Sequence, residues 1–233
     1  YSYKETKNGF NIDLEHLQSL ITDKTVALIY NNYQNPLSAS SSKKEMNQIA
    51  KLCIKHNLWV LSDDAYYEIR YSDTPPISLV SIPGMKERTV ILYTFSKRFA
   101  MTGWRLGASI GPKKIIEQIA RFNINDESCT NHFIQYALAD TLQKADYVSQ
   151  KILNELELRR NICVEALNSI KDVHISKPES TFYLFPNITS LMNNKGYDNL
   201  EKFRIDALHS TGVSFCSRNH FGTAFPKENQ KYI

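Results

Sequence analysis

The chain has few cysteines, and their spacing suits no metal site. Its 233 residues include four cysteines (Cys53, Cys129, Cys163 and Cys216), which lie far apart and form no C-x-x-C pair. Structural zinc sites use closely spaced Cys and His residues, and small secreted domains are dense in disulfides. The sequence therefore predicts no metal site. It favours a reducing compartment, which we expect to be the cytoplasm, although an organelle is also compatible.

Long apolar runs and a strong charge of one sign are also lacking. No run approaches the roughly 20 apolar residues that cross a membrane, and the polar opening residues do not resemble a signal peptide. The formal net charge is +4, and the basic residues are scattered rather than grouped. The sequence therefore predicts neither membrane insertion nor nucleic-acid binding.

What the chain does have is an alternation of short apolar runs and amphipathic helices. The runs at 26–30, 58–62 and 89–93 have the length and composition of buried strands, and the apolar positions of 42–56 follow the helical period. Strands that alternate with helices pair in parallel. The pattern predicts an α/β fold with a mostly parallel sheet, to which 105–110 adds one more strand.

Polar residues follow each of the three apolar runs. Asn35, Asp63 and Lys97 lie at or just beyond the predicted strand ends. Ligands of open α/β sheets bind outside the carboxyl ends of the strands. We therefore expect these three side chains to meet at one edge of the sheet.

The segment TFSKRFAMTGWRLG, residues 94–107, combines groups that suit a phosphate-bearing aldehyde. The amine of Lys97 can form a Schiff base, and hydroxyl groups and the Arg105 guanidinium can hold a phosphate. Either residue alone would more often be an ordinary surface residue. Together they indicate the lysine chemistry of pyridoxal 5'-phosphate (PLP) enzymes.

This segment closely resembles the lysine signature of class I/II aminotransferases, S-x-S-K-x-x-A-M-T-G-W-R-x-G. Thr94 stands where the family usually has Ser or Gly. Residues 63–66, DDAY, resemble the family's D-x-x-Y, and 35–38, NPLS, resemble its N-P-[TL]-[GS] turn. Residues 177–186, KPESTFYLFP, resemble P-x-G-[AT]-F-Y-L-F-P, with a serine in place of the glycine.

The resemblance implies PLP as the cofactor and a role for each matched residue. Lys97 would hold the aldehyde and move protons at the substrate. Asp63 would anchor the pyridine nitrogen, and Tyr66 would bind the phenolic oxygen. The predicted catalytic residues are thus Lys97, Asp63 and Tyr66, and the predicted cofactor-binding residues are Asn35, Asp63, Tyr66, Thr94, Ser96, Lys97 and Arg105.

The resemblance also implies fold type I, the aspartate aminotransferase-like fold. Residues 1–143 would belong to a three-layer large domain with a mostly parallel sheet. Residues 144–233 would form a smaller α+β domain, joined to the first by a long helix at about 145–170. Because the family carries an earlier phosphate-binding turn and a later carboxylate-binding arginine, we expect both domains to be incomplete and the chain alone to be inactive.

Within the smaller domain, apolar patterns predict strands at 173–175, 181–185 and 213–216 and a helix at 200–209. Arg218 and His220 lie where they could touch a substrate, although a solvated loop is the more common place for such residues.

The function implied is transamination of an L-amino acid, aspartate-like, alanine or aromatic, with a 2-oxo acid such as 2-oxoglutarate. The family is usually homodimeric. Two alternatives stay open. One is a PLP-dependent lyase that carries out β-elimination or ring closure of an S-adenosyl substrate, and the other is a non-catalytic relative that binds a partner.

Overall fold

The computed structural model describes residues 1–72, 74–225 and 228–233. The strands are β1 (Tyr3–Thr6), β2 (Gly9–Ile12), β3 (Ala27–Asn31), β4 (Trp59–Asp63), β5 (Thr89–Thr94) and β6 (Gly107–Ile110). The helices are α1 (Leu14–Ser19), α2 (Lys43–Lys55), α3 (Phe95–Arg98), α4 (Lys113–Asp126), α5 (His132–Thr141), α6 (Ala145–Ser169), α7 (Thr189–Asn194) and α8 (Leu200–Thr211).

A four-stranded sheet in the order β3-β4-β5-β6 organises the first part of the chain. β3, β4 and β5 run parallel, and β6 pairs with β5 in the antiparallel direction. The predicted α/β fold with a mostly parallel sheet is therefore confirmed. The strand predicted at 105–110 begins only at Gly107, because Arg105 adopts a left-handed backbone conformation with φ 56°.

One face of the sheet packs on α2. This helix begins where the hydroxyl of Ser42 accepts the backbone N–H of Glu45 at 3.2 Å, an N-cap that satisfies an otherwise unpaired donor. Met46 and Ile49 of α2 are fully buried against Val60 of β4 in the main apolar cluster. Burial of this kind stabilises the sheet, since each such side chain contributes about 1.5–3 kcal/mol.

The opposite face of the sheet is more open. The strand register places Ile29 beside Leu61 on this face, and Leu61 pairs with Val90 of β5. Leu92 lies two residues after Val90 and therefore shares its face. Ile29 is 67% exposed and Leu92 is 37% exposed. The described residues thus cover one side of the sheet well and leave apolar groups on the other.

The sequence did not predict the first hairpin or the helix α7. Residues 3–12 form the antiparallel hairpin β1–β2, which turns at Lys7 and Asn8 and enters β2 at Gly9 with φ 109°. The helix α7 follows the 177–186 segment and buries Met192. The long helix expected at about 145–170 is present as α6. The division of the chain at 143/144 stays a prediction.

The strands predicted at 173–175, 181–185 and 213–216 are wrong. Among residues 171–225 and 228–233, backbone pairing is limited to isolated bridges, such as His174 with Asn187 and Ser180 with Arg70. A strand requires a continuous ladder of backbone partners. The backbone of 181–183 is instead bonded to a loop carbonyl and to side-chain hydroxyls.

No helix in the described part of the chain combines the length and the apolar sequence needed to cross a membrane. Likewise, residues 1–72, 74–225 and 228–233 contain no group of three or more metal-ligating side chains arranged to hold an ion.

Candidate active site

The carboxyl ends of the parallel strands bring the predicted residues to one edge. Asn31, the last residue of β3, pairs with Asp63, the last residue of β4. Thr94 ends β5 opposite Gly107, the first residue of β6. Because parallel strands end at the same side, the sheet gathers the polar groups that follow each strand, as the sequence predicts.

Lys97 lies in α3, one turn of helix that follows β5 directly. The hydroxyl of Thr94 accepts the backbone N–H of Ser96 at 3.2 Å and caps this turn. The Nζ atom of Lys97 lies 5.7 Å from the ring centre of Tyr66 and 5.8 Å from that of Phe182. Among the described residues it has no hydrogen-bond or ion-pair partner. The amine is thus held between two aromatic rings and is available to a ligand.

The two neighbouring aspartates have different surroundings. Asp64 is 2% exposed, and its two carboxylate oxygens accept the hydroxyls of Ser62 at 2.8 Å and Ser78 at 2.9 Å. Asp63 uses Oδ1 for the backbone N–H of Ala65 at 3.1 Å, and its other oxygen has no partner in the described part of the chain. Of the pair, Asp63 is the one able to bind a ligand.

Tyr66 is buried, with 3% of its surface exposed. Its hydroxyl lies 2.5 Å from the hydroxyl of Tyr183, and its ring packs edge-on against Phe182 at 5.4 Å. Burial is the largest cause of the raised pKa of Tyr66. Tyr66 therefore stays a neutral phenol that can donate a hydrogen bond.

Asn35 lies in the turn after β3, and Asn31 positions that turn. The side-chain oxygen of Asn31 accepts the backbone N–H of Asn35 at 2.9 Å, while its amide donates to the backbone carbonyl of Asp63 at 3.0 Å. One side chain therefore ties the turn to the end of β4. Sequence reasoning missed Asn31, although an amide at a strand end is the signal that could have indicated it.

The three residues predicted to bind phosphate differ in how free they are. Arg105 is exposed and donates to the carbonyl of Thr102 at 3.0 Å, with no acidic partner among residues 1–72, 74–225 and 228–233. Ser96 is 5% exposed. The hydroxyl of Thr94 is engaged as the cap of α3. The guanidinium of Arg105 is thus the freest of the three groups.

Comparison with known proteins identifies the family. The family model described as aminotransferase class I and II matches residues 1–227. This chain belongs to the class I and II aminotransferase family. The resemblance drawn from the lysine segment is therefore confirmed, and with it fold type I and PLP as the cofactor that members of the family use.

Individual relatives agree with the family match. An aromatic-amino-acid aminotransferase of Thermococcus litoralis is 38% identical over 189 residues, and an aspartate aminotransferase of Pyrococcus abyssi is 37% identical; each match covers 80% of this chain and 48% of the relative. The crystal structure of an aromatic aminotransferase from Pyrococcus horikoshii has a TM-score of 0.87 and 34% identity, covering 96% of this chain and 58% of that one. The chain thus spans about half the length of the curated relatives it matches.

The groups at the sheet edge fit PLP. Within the described ranges, the amine of Lys97 has no partner, the carboxylate of Asp63 has one unbonded oxygen, and the guanidinium of Arg105 has no acidic partner. They match the aldehyde, the ring nitrogen and the phosphate of the cofactor in chemical type. Thr94 fits less well, because its hydroxyl already donates to the carbonyl of Leu106 at 3.4 Å, and a phosphate would compete for that proton.

Arg98, next to Lys97, holds α3 in place. Its guanidinium contacts Glu68 at 3.2 Å and Asp146, in the first turn of α6, at 2.7 Å. The side chain of Arg98 is only 13% exposed. The turn that carries Lys97 is therefore tied both to the segment after Tyr66 and to the long helix.

Arg218 and His220, singled out in the sequence, have partners in their own loop. Arg218 forms a two-pronged ion pair with Glu228, with the longer contact at 2.8 Å, and donates to the carbonyl of Gly222 at 2.8 Å. Nδ1 of His220 lies 2.9 Å from the hydroxyl of Ser217. These contacts stabilise the loop and leave little of Arg218 for a substrate.

Two cavities adjoin the Asn35 turn rather than the Lys97 amine. One of about 430 Å³ is lined by Pro36 and Leu37 together with Arg218. The other, of about 360 Å³, is lined by Leu37 and Ser38 and by the β1–β2 hairpin. Lys97 lines neither of them.

Proposed function

We propose that the whole protein is a PLP-dependent aminotransferase that transfers the amino group of an L-amino acid to a 2-oxo acid. The observation that carries this proposal is the Lys97 amine, which has no described partner and lies between two aromatic rings at the edge where Asp63 ends its strand. A structural lysine in such a position would be expected to have an acidic partner.

The relatives point to the substrates. Those named above act on aromatic amino acids and on aspartate by their names. We therefore keep an aspartate-like, alanine or aromatic amino acid as the donor and 2-oxoglutarate or a similar 2-oxo acid as the acceptor. Because the chain spans about half of those relatives, this choice applies to the whole protein.

Each residue at the edge has a proposed task. Bound PLP supplies an aldehyde that takes up the amino group and a ring that withdraws electrons from the substrate α-carbon. Nζ of Lys97 would hold the cofactor and carry a proton to and from that carbon. Asp63 would accept the N–H of the pyridine ring, and Tyr66 and Asn35 would donate to its phenolic oxygen. Arg105, with Ser96 and Thr94, would hold the phosphate.

The aromatic rings beside Lys97 restrict its motion. The ring centres of Tyr66 and Phe182 are nearly equally distant from the Nζ atom of Lys97, and the two rings limit the volume that this atom can reach. A lysine that must move a proton at one carbon benefits from such restriction, because proton transfer needs a short and well-aligned approach.

Elimination or ring closure would use the same lysine and acid. The relatives named as aminotransferases favour transamination. Product analysis of the whole protein separates the reactions: transamination gives a new amino acid and a new 2-oxo acid, whereas β-elimination gives ammonia and pyruvate. A non-catalytic relative would give neither set.

The decisive experiment compares three forms of the whole protein with added PLP. The unchanged protein should show the absorbance of lysine-bound PLP and should transfer amino groups. Lys97→Ala should lose that absorbance and about 100- to 10,000-fold of the turnover, since the proton carrier is gone. Lys97→Arg keeps the charge between the rings and should also be inactive. Transamination by either variant at the unchanged rate would refute the proposal.

Two further expectations stay predictions. The whole protein should be a homodimer, which light scattering would measure, and the 233-residue chain alone should show no amino-acid-dependent turnover. The cytoplasmic location is likewise a prediction.

A further inference from the structure

Tyr183 meets the hydroxyl of Tyr66 directly. The two oxygens are 2.5 Å apart, and the rings pack edge-on with centres 5.5 Å apart. Tyr66 is 3% exposed, so water has little access to it. Tyr183 is therefore well placed to control which way the Tyr66 hydroxyl proton points.

The backbone of Tyr183 is held by a closed set of hydrogen bonds, which we call the Tyr183 circuit. Its N–H donates to the hydroxyl oxygen of Thr181 at 3.0 Å. The hydroxyls of Thr181 and Ser38 are 2.6 Å apart, and Ser38 donates to the carbonyl of Tyr183 at 3.0 Å. Ser38 and Thr181 are 7% and 1% exposed.

Counting protons fixes the direction of the Tyr183 circuit. A hydroxyl has one proton to donate. Ser38 gives its proton to the Tyr183 carbonyl, so Thr181 must donate to Ser38. Thr181 in turn accepts the N–H of Tyr183. Every donor is used once, and both backbone groups of Tyr183 are satisfied, so the position of the phenol is well defined.

The same count applies to the two phenols. If Tyr66 gave its proton to Tyr183, it would have none left for a ligand. If Tyr183 donates instead, Tyr66 accepts that bond and keeps its own proton free. We propose that Tyr183 is a positioning residue of this aminotransferase, whose phenol donates to Tyr66 and leaves the Tyr66 proton for the phenolic oxygen of the cofactor. This inference rests on the proposed function.

The Tyr183 circuit also reaches the second donor to that oxygen. Ser38 lies three residues after Asn35 in the same turn. Through Ser38 the position of the Asn35 turn is coupled to that of Tyr183. The two groups proposed to bind one cofactor oxygen therefore depend on one set of hydrogen bonds.

The test is a double-mutant cycle on PLP affinity in the whole protein. Tyr183→Phe removes only the hydroxyl and keeps the ring contact with Tyr66. It should weaken PLP binding about 2- to 10-fold, the effect of one neutral hydrogen bond. In a Tyr66→Phe background the same change should have less than about a twofold effect, because Tyr183 acts through Tyr66.

Tyr71→Phe is the matched control. The Tyr71 hydroxyl donates to the carbonyl of Thr181 at 2.6 Å, so it anchors the same segment. Its loss should lower the thermal midpoint without changing PLP affinity. An equal effect of Tyr183→Phe in both backgrounds, or none in either, would overturn the inference.

A measurement without cofactor separates this inference from the proposed function. The proton of a short O–H···O bond resonates far downfield in an NMR spectrum and exchanges slowly. One such resonance should vanish in both Tyr66→Phe and Tyr183→Phe and remain in Tyr71→Phe. If the unchanged protein binds no PLP, the proposed function fails. The resonance shared by Tyr66 and Tyr183 then still tests whether their hydroxyls are hydrogen-bonded, and its absence from the unchanged protein would overturn the inference.

Discussion

The sheet edge and the segment at 180–183 bring groups to the same place by different physical means. At the edge, the backbone register of β3, β4 and β5 sets where the strands end, and single side chains such as Asn31 and Thr94 fix the turns that follow. The segment at 180–183 has no ladder. It is held by isolated backbone bonds and by the hydroxyls of Ser38 and Thr181.

This difference determines how each region responds to substitution. Changing a side chain at the sheet edge leaves the backbone ladder intact, so the effect should fall on ligand binding and turnover. Changing a hydroxyl in the Tyr183 circuit removes part of the support of the backbone, so the effect should fall on stability. Three predictions test this contrast.

The largest effect is expected for Asp63→Asn. The amide oxygen can still accept the N–H of Ala65, so the free energy of unfolding should change by less than about 0.5 kcal/mol. Asparagine lacks the charge that would hold a protonated ring nitrogen, and turnover by the whole protein should fall about 100- to 1,000-fold. Steady-state kinetics and urea unfolding measure the two quantities.

Asp64→Asn is the control for that prediction. Asp64 faces Ser62 and Ser78 rather than the open edge, so its variant should retain turnover within about tenfold. If Asp64→Asn is the more damaging variant for turnover, the assignment of the two aspartates is reversed.

A smaller effect, on stability, is expected for Thr181→Val. Valine is β-branched like threonine, so the exchange adds no new steric strain at a residue whose φ is 58°. The N–H of Tyr183 and the hydroxyl of Ser38 lose a partner in a buried place. The free energy of unfolding should fall by about 1–3 kcal/mol.

Thr141→Val provides the comparison for that change. The Thr141 hydroxyl donates to the carbonyl of Ala137 on an exposed part of α5, and its loss should cost less than about 0.5 kcal/mol. Equal losses in the two variants, measured as urea midpoints, would show that the Tyr183 circuit adds no stability.

The smallest effect is a pH dependence from Asp64. Burial raises the pKa of this carboxyl above its ordinary value of 3.8, more than the hydroxyls of Ser62 and Ser78 lower it. Between the unfolded and folded pKa values the folded chain binds more protons, so stability falls as the pH rises through that window. Asparagine does not titrate. Urea unfolding should show the unchanged chain losing stability relative to Asp64→Asn as the pH rises above 3.8; the opposite slope would contradict this.

The regular elements were the most predictable part of the fold. The runs at 26–30, 58–62 and 89–93 and the period of 42–56 are strong local signals, and each gave an element within about two residues of its bounds. The strands predicted at 181–185 and 213–216 failed for a physical reason. An apolar run can indicate an extended backbone, but it does not reveal whether another strand will pair with it.

The predicted residues of the site were placed at one edge by the same reasoning, because parallel strands end together. What the pattern could not reveal were side chains that act on other side chains. Asn31, Arg98 and Tyr183 lie close in space to predicted residues, but neither the strand end of Asn31 nor the 177–186 motif around Tyr183 indicates which side chains they contact. Their partners lie up to 117 residues away along the chain.

The sequence by itself determined the α/β class, the edge at which a ligand would bind, and the chemical types present there. These follow from local periodicity and from the order of residues along the chain. Tertiary structure alone decided that Asp64 is buried between Ser62 and Ser78, and that Lys97 lies between two rings. It also decided that Tyr183 contacts Tyr66. These contacts depend on how segments far apart in the chain pack together, and the spacing of residues along the sequence does not predict that packing.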